Sequence, residues 1–252
     1  GGAPICYESE QDLVRWVTQN TLPGETSLET QIMDWADQVA YSVHDLEDGI
    51  HAQMITSARL NDPTLKRETI AQVEKHFPQR LIEDTYAMLL RDVRRIEEIG
   101  DARQRAAARK QLTSLLIHGF VTGVKLKPRR RGVILNGAHG RYDVKLQIGN
   151  IEKGQSAVLR AITRRLIVDD QRVATLERRS TYVIRKLFEE LSCRDSMNLY
   201  PDEFRGFFGE ATDDAERARV ACDYIAGMTD SYAEMLYQRL FSPGNGSIFD
   251  AL

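Results

Sequence analysis

Cysteine, histidine and long apolar runs are all scarce in this chain, and each scarcity removes a class of protein. Only three cysteines, Cys6, Cys193 and Cys222, occur in 252 residues. An odd, widely spaced set fits unpaired thiols engaged in packing; it argues against a disulfide scaffold and offers no CxxC zinc site. None of the five histidines precedes His44, and His44, His51, His76, His118 and His139 show neither HxH nor HExxH spacing. No apolar run approaches the roughly 18 residues that cross a bilayer, and the N-terminus shows no basic-then-apolar pattern. A cytoplasmic protein with no membrane partner is therefore the expectation. With 34 basic and 37 acidic residues the net charge is −3, so there is no global basic field of the kind a dedicated nucleic-acid binder carries. GxxxxGK[ST] and GxSxG are both missing, which removes P-loop and serine-hydrolase readings.

What is present is helix. The hydrophobic share of 42% is enough to bury one large core or two small ones. The most informative run is DWADQVAYSVHDLEDG, Asp34 to Gly49. Asp37, Tyr41 and Asp45 stand four residues apart, one above another on a helix over roughly 12 Å. Asp34 and Asp48 share their stripe. Ile32, Ala36, Val39, Val43, Leu46 and Ile50 form the opposite, apolar face. By periodicity alone the stripe is a solvated face. Yet its acids have no Lys or Arg at i+4 within the stripe, and like charges at helical neighbours repel, so a cation would stabilise it.

These residues resemble a known family. DWADQVAYSVHDLEDG is similar to the last metal-ligand segment of the HD-domain deoxynucleoside triphosphate triphosphohydrolases, the bacterial dGTPase group. DYIAGMTDSYA (Asp223 to Ala233) resembles that group's C-terminal helix motif, and LTSLLIHGFV (Leu112 to Val121) is a weaker third match. The resemblance covers roughly Thr30 to Leu240. It implies that Asp37 is the final aspartate of a metal set, that Tyr41 lines the substrate sugar and that Asp45 contacts the deoxyribose 3′-hydroxyl. Gln38 departs from the family's second aspartate and reads as a neighbour of the site.

The family's first histidine and its His-Asp doublet lie upstream of this aspartate, where this sequence has no histidine. His44-Asp45 does not replace them, since an HD site needs an earlier histidine as well. The resemblance thus implies that residues 1–252 form the C-terminal part of a single helical HD domain. It implies a cofactor, a divalent ion such as Mg or Mn, and a dNTP substrate split into deoxynucleoside and inorganic triphosphate. It also implies a homo-oligomer, with a dNTP or single-stranded DNA as effector, and the chain by itself is expected to be inactive. The competing class is a non-enzymatic helical module that binds nucleotides or nucleic acid and has lost the metal site.

The fold expected is all-α with a small β-hairpin. Thr26 and Glu29 read as a capping box for a helix over about 27–59, with Gly49 a weak point and Asn61-Asp62-Pro63 its end. Further helices are predicted near 64–75, 79–99, 102–120, 156–167, 171–191, 201–207 and 214–241. RGVILN and RYDVKLQI, within 131–148, read as the hairpin. Among basic runs, LKPRRRG (Leu126 to Gly132) reads as a solvated loop or a phosphate contact. Arg160, Arg164 and Arg165, then Arg178, Arg179, Tyr182, Arg185 and Lys186, suit a triphosphate, an effector or an interface. In the C-terminal motif, Gly227 suits close helix packing, and Asp230 and Tyr232 suit packing or support of a pocket.

Overall fold

A computed structural model describes residues 6–18, 25–129 and 142–242. The described chain is almost wholly helical, with one two-stranded antiparallel sheet. It divides into two compact units, one ending at Asp169 and the other starting at Asp170. No glycine-serine linker marks that boundary.

The first unit is built around α2, Leu28–His51. Its N-cap is Ser27, whose hydroxyl accepts the Thr30 N–H at 3.2 Å, rather than the predicted Thr26. The helix also ends earlier than predicted. The N–H groups of Met54 and Ile55 both return to the Gly49 carbonyl, and Gln53 takes a φ of 57°, which turns the chain back before α3, Ser57–Leu60. Pro63 does not merely stop a helix. It opens α4, Pro63–Val73, as its first residue, where a missing N–H costs nothing, with Asp62 accepting from Thr64 N at 2.8 Å. α5 (Gln79–Glu98) and α6 (Ala102–Thr122) follow close to their predicted spans. An eight-residue α1, Gln11–Thr18, precedes them all and was not anticipated.

The buried face of α2 is Trp35, Val39, Ser42, Val43, Leu46, Gly49 and Ile50. Ile32 and Ala36, placed on the apolar face by spacing, are exposed, because Trp35 takes the core position beside them. Its indole donates to the Phe120 carbonyl at 3.2 Å and its ring meets Phe120 edge-on at 5.9 Å. Ile82, Leu89, Val93, Val158, Leu159 and Ile162 complete this core with no measurable exposure.

The sheet pairs β1, Val124–Pro128, with β2, Val144–Ile148, in the register Val124↔Ile148 to Pro128↔Val144. The second strand falls where the sequence placed it. The first does not: Val-Lys-Leu-Lys-Pro alternates apolar and basic residues, a strand pattern hidden in a run that reads as basic loop. RGVILN lies in 130–141, outside the described residues, as does His139. Arg129, at the end of β1, pairs with Glu25 and donates to the Thr26 carbonyl.

α7, Asn150–Thr163, runs on into a π-helical turn, Arg164–Val168, where the Asp169 N–H reaches back five residues to the Arg164 carbonyl at 2.9 Å.

The second unit holds α8 (Gln171–Leu191), α9 (Asp202–Glu210), α10 (Asp214–Ala226) and α11 (Asp230–Phe241). The predicted single helix over 214–241 is broken at Gly227–Thr229, because the Thr229 hydroxyl caps a new helix by accepting from Tyr232 N. The core gathers Val183, Leu187, Leu191, Tyr200, Phe208 and Tyr224, with the buried Tyr200 hydroxyl donating to the Leu191 carbonyl at 2.9 Å. Tyr232 packs here, its hydroxyl 3.0 Å from that of Tyr224. Gly227 shows no close approach: a Cβ there would meet only backbone oxygens at 3.5 and 3.7 Å. All three cysteines are unpaired, yet Cys193 and Cys222 are exposed, so the packing role expected of them does not hold.

Candidate active-site cavity

α2 presents its acidic stripe to the surface, as its buried face requires. Asp37 is exposed, Tyr41 keeps 65% of its surface in solvent and Asp45 is half-buried. Tyr41 and Asp45 line a cavity of about 610 Å³; Asp37 is not in its lining. The opposite walls come from α4 and the residues after it, through Gln72, Val73, His76 and Phe77, and from α7 and its π-turn, through Arg160, Ala161, Thr163, Arg164 and Val168. This volume lies in the range of small-molecule sites.

The charges in the cavity are arranged, not scattered. Partial burial raises the Asp45 carboxyl above its ordinary value, Asp48 raises it further, and His44 opposes them. Arg160 and Arg164 stand four residues apart on one side of their helix. Neither makes an ion pair with another described residue, whereas the adjacent Arg165 is committed to Glu68 at 3.0 Å. Two guanidinium groups facing an open cavity without a carboxylate partner are suited to an anionic ligand, since arginine binds phosphate through paired N–H groups.

Sequence reasoning selected Tyr41 and Asp45 but left Arg160 and Arg164 unassigned among eight grouped residues. The signal that singles them out is their i, i+4 spacing, while Arg165 one residue on points elsewhere. Arg178, Arg179, Tyr182, Arg185 and Lys186 belong to the second unit, where Arg179 pairs with Glu234 and Lys186 with Glu189. His76, Gln72 and Phe77 had no sequence signal. His44 faces a different, apolar recess with Trp35 and Val121.

For a divalent ion the fit is poor among the described residues. No group of three or more His, Cys, Asp or Glu side chains converges among the described residues, and one aspartate does not make a metal site. No helix among the described residues is long and apolar enough to cross a membrane.

Residues 149–239, from the residue before α7 into α11, match the family described as the phosphohydrolase-associated domain. Over 93% of its length the chain is 32% identical to a deoxyguanosinetriphosphate triphosphohydrolase-like protein of Streptomyces coelicolor, covering 56% of that protein. It is 31% identical over 92% of its length to a protein of the same description from Corynebacterium efficiens, covering 55% of it. A Deinococcus radiodurans relative is 28% identical over 98% of the chain. The matched segment and these relatives make the chain similar to phosphohydrolase-type proteins. More narrowly, the chain is similar to deoxyguanosinetriphosphate triphosphohydrolase-like proteins, and it spans about half the length of the curated relatives it matches.

Proposed function

We propose that the cavity binds a deoxynucleoside triphosphate, and that the protein to which this chain contributes hydrolyses it to deoxynucleoside and inorganic triphosphate. One observation carries the reading: the cavity gathers Tyr41 and Asp45 on one wall and, on another, Arg160 and Arg164, which make no ion pair with a described residue. Tyr41 packs on the deoxyribose, where its ring leaves no room for a 2′-hydroxyl. Asp45 accepts a hydrogen bond from the 3′-hydroxyl; as a half-buried carboxylate it is left unpaired when that hydroxyl is missing, which is a strong basis for rejection. Arg160 and Arg164 hold phosphate oxygens and neutralise charge that the leaving triphosphate retains. Asp37, one turn before Tyr41 on α2, is the residue this chain offers to a divalent ion. Because the described residues bring no further ligand to it, we assign no step to the metal.

The test uses the full-length enzyme. Asp45→Asn is expected to weaken transition-state binding of a normal dNTP by about 1.5–3 kcal/mol, the scale of a hydrogen bond to a charged group. With the 3′-deoxy analogue the substitution should have little further effect. Equal turnover of dNTP and 3′-deoxy analogue by the unmodified enzyme would show that Asp45 does not read that hydroxyl.

A further inference from the structure

We propose that Gly49 is a positioning residue for this cavity: by lacking a Cβ it lets the π-turn that carries Arg164 seat against α2, and so sets the separation between the phosphate-binding and sugar-binding walls. The inference rests on the cavity reading above and deepens it. Tyr41 and Asp45 stand on α2, while Arg164 and Val168 stand at the two ends of the π-turn. The two elements meet at Gly49. A Cβ built there would lie 2.7 Å from Ile167 Cδ1 and 2.7 Å from Ile55 Cδ1, far inside the roughly 3.5–4.0 Å of carbon contact. Gly49 is buried within helix α2, where glycine is a poor helix former and no unusual backbone angle calls for it. What glycine supplies is space.

The π-turn gives that space a purpose. In an α-helix, residues four apart drift around the axis by about 40° per step. A turn closed by bonds between residues i and i+5 winds less per residue and offsets that drift, so Arg160, Arg164 and Val168 all line the cavity. The same turn directs Ile167 onto Gly49. Moving it shifts Arg164 against Asp45 without touching either side chain.

A ligand that spans both walls gains affinity from their registry, whereas a fragment that uses one wall does not. Binding of dGTP, inorganic triphosphate and deoxyguanosine to the full chain therefore separates registry from general damage. Gly49→Ala is expected to weaken dGTP about tenfold while each fragment changes less than about twofold. Adding Ile167→Val removes the clash on the π-turn side and leaves the one with Ile55, so it should recover more dGTP affinity than Ile55→Val added in its place; equal recovery overturns the proposal. Equal losses for all three probes, or unchanged dGTP binding, would overturn the proposal. If Gly49→Ala does not fold, Ile167→Ala alone removes the support without a clash; it should produce the same selective loss, and unaltered dGTP affinity there overturns the proposal as well. A wild-type chain that binds none of the three probes refutes the cavity reading itself, and the proposal with it.

Discussion

Two recesses share α2 and differ in what lines them. On one side Tyr41 and Asp45 face His76, Arg160 and Arg164 around about 610 Å³; on the other Ile32, Trp35, Ala36 and Val39 meet Ile117, Val121, Val124 and Leu146 around about 460 Å³. The apolar recess is floored by core residues and rimmed by exposed ones. Its Trp35 is 6% exposed and donates to the Phe120 carbonyl, while Ile32, Ala36 and Val121 are exposed. The polar cavity holds arginines without ion-pair partners among the described residues and a carboxyl pushed away from its ordinary value, features that folding alone does not require. One helix thus supports stability on one flank and recognition on the other.

That contrast can be broken at its apolar side first. Trp35→Ala should cost about 3–5 kcal/mol of folding stability, measured by urea unfolding, because it empties a large buried volume and orphans a carbonyl. A loss below about 1 kcal/mol would mean that this recess is not part of the core. On the polar side the pattern reverses. Arg164→Ala should leave the unfolding midpoint nearly unchanged, within about 0.5 kcal/mol, yet weaken inorganic triphosphate binding by about 1.5–3 kcal/mol in calorimetry.

Smaller effects sharpen the comparison through pH. Glu47 sits on α2 with its carboxyl held below the ordinary range by the Lys110 hydrogen bond at 2.9 Å and by the Thr113 hydroxyl at 2.9 Å, against the opposing effect of burial. A lowered folded-state value means that its stabilisation is present above the unfolded value of 4.5 and is lost as pH falls through the folded one. Glu47→Gln should cost about 1 kcal/mol at pH 7, discounted for the exposed lysine, and much less in acid. Asp45 has the opposite sign. Its raised value means that the ionised carboxyl opposes folding at neutral pH, and that this penalty disappears below the unfolded value of 3.8. Asp45→Asn should therefore raise stability at pH 7, by no more than about 0.5 kcal/mol, with the gain vanishing in acid. A loss of stability at pH 7 would place Asp45 with Glu47 as a structural residue.

Much of this was legible beforehand because it depends on neighbours in the chain. Helical periodicity placed α5, α6 and α8 within a few residues, and the family's sixteen-residue run picked out Tyr41 and Asp45. Where reading along the chain failed, a contact or cap outside its reach had decided the outcome. Ser27 displaced Thr26 as cap, Thr229 opened a second helix, and Val124–Pro128 became a strand because Val144–Ile148 was there to pair with it.

The sequence by itself determined an all-helical chain with one small sheet, an amphipathic α2 and an acidic stripe on its outer face, since each follows from spacings of a few residues. Only the tertiary structure decided that two of the stripe's residues share a cavity with Arg160 and Arg164. More than a hundred positions of chain separate those residues. Packing closes that distance, with Gly49 buried on α2 and the π-turn Arg164–Val168 beside it, features that no local pattern announces.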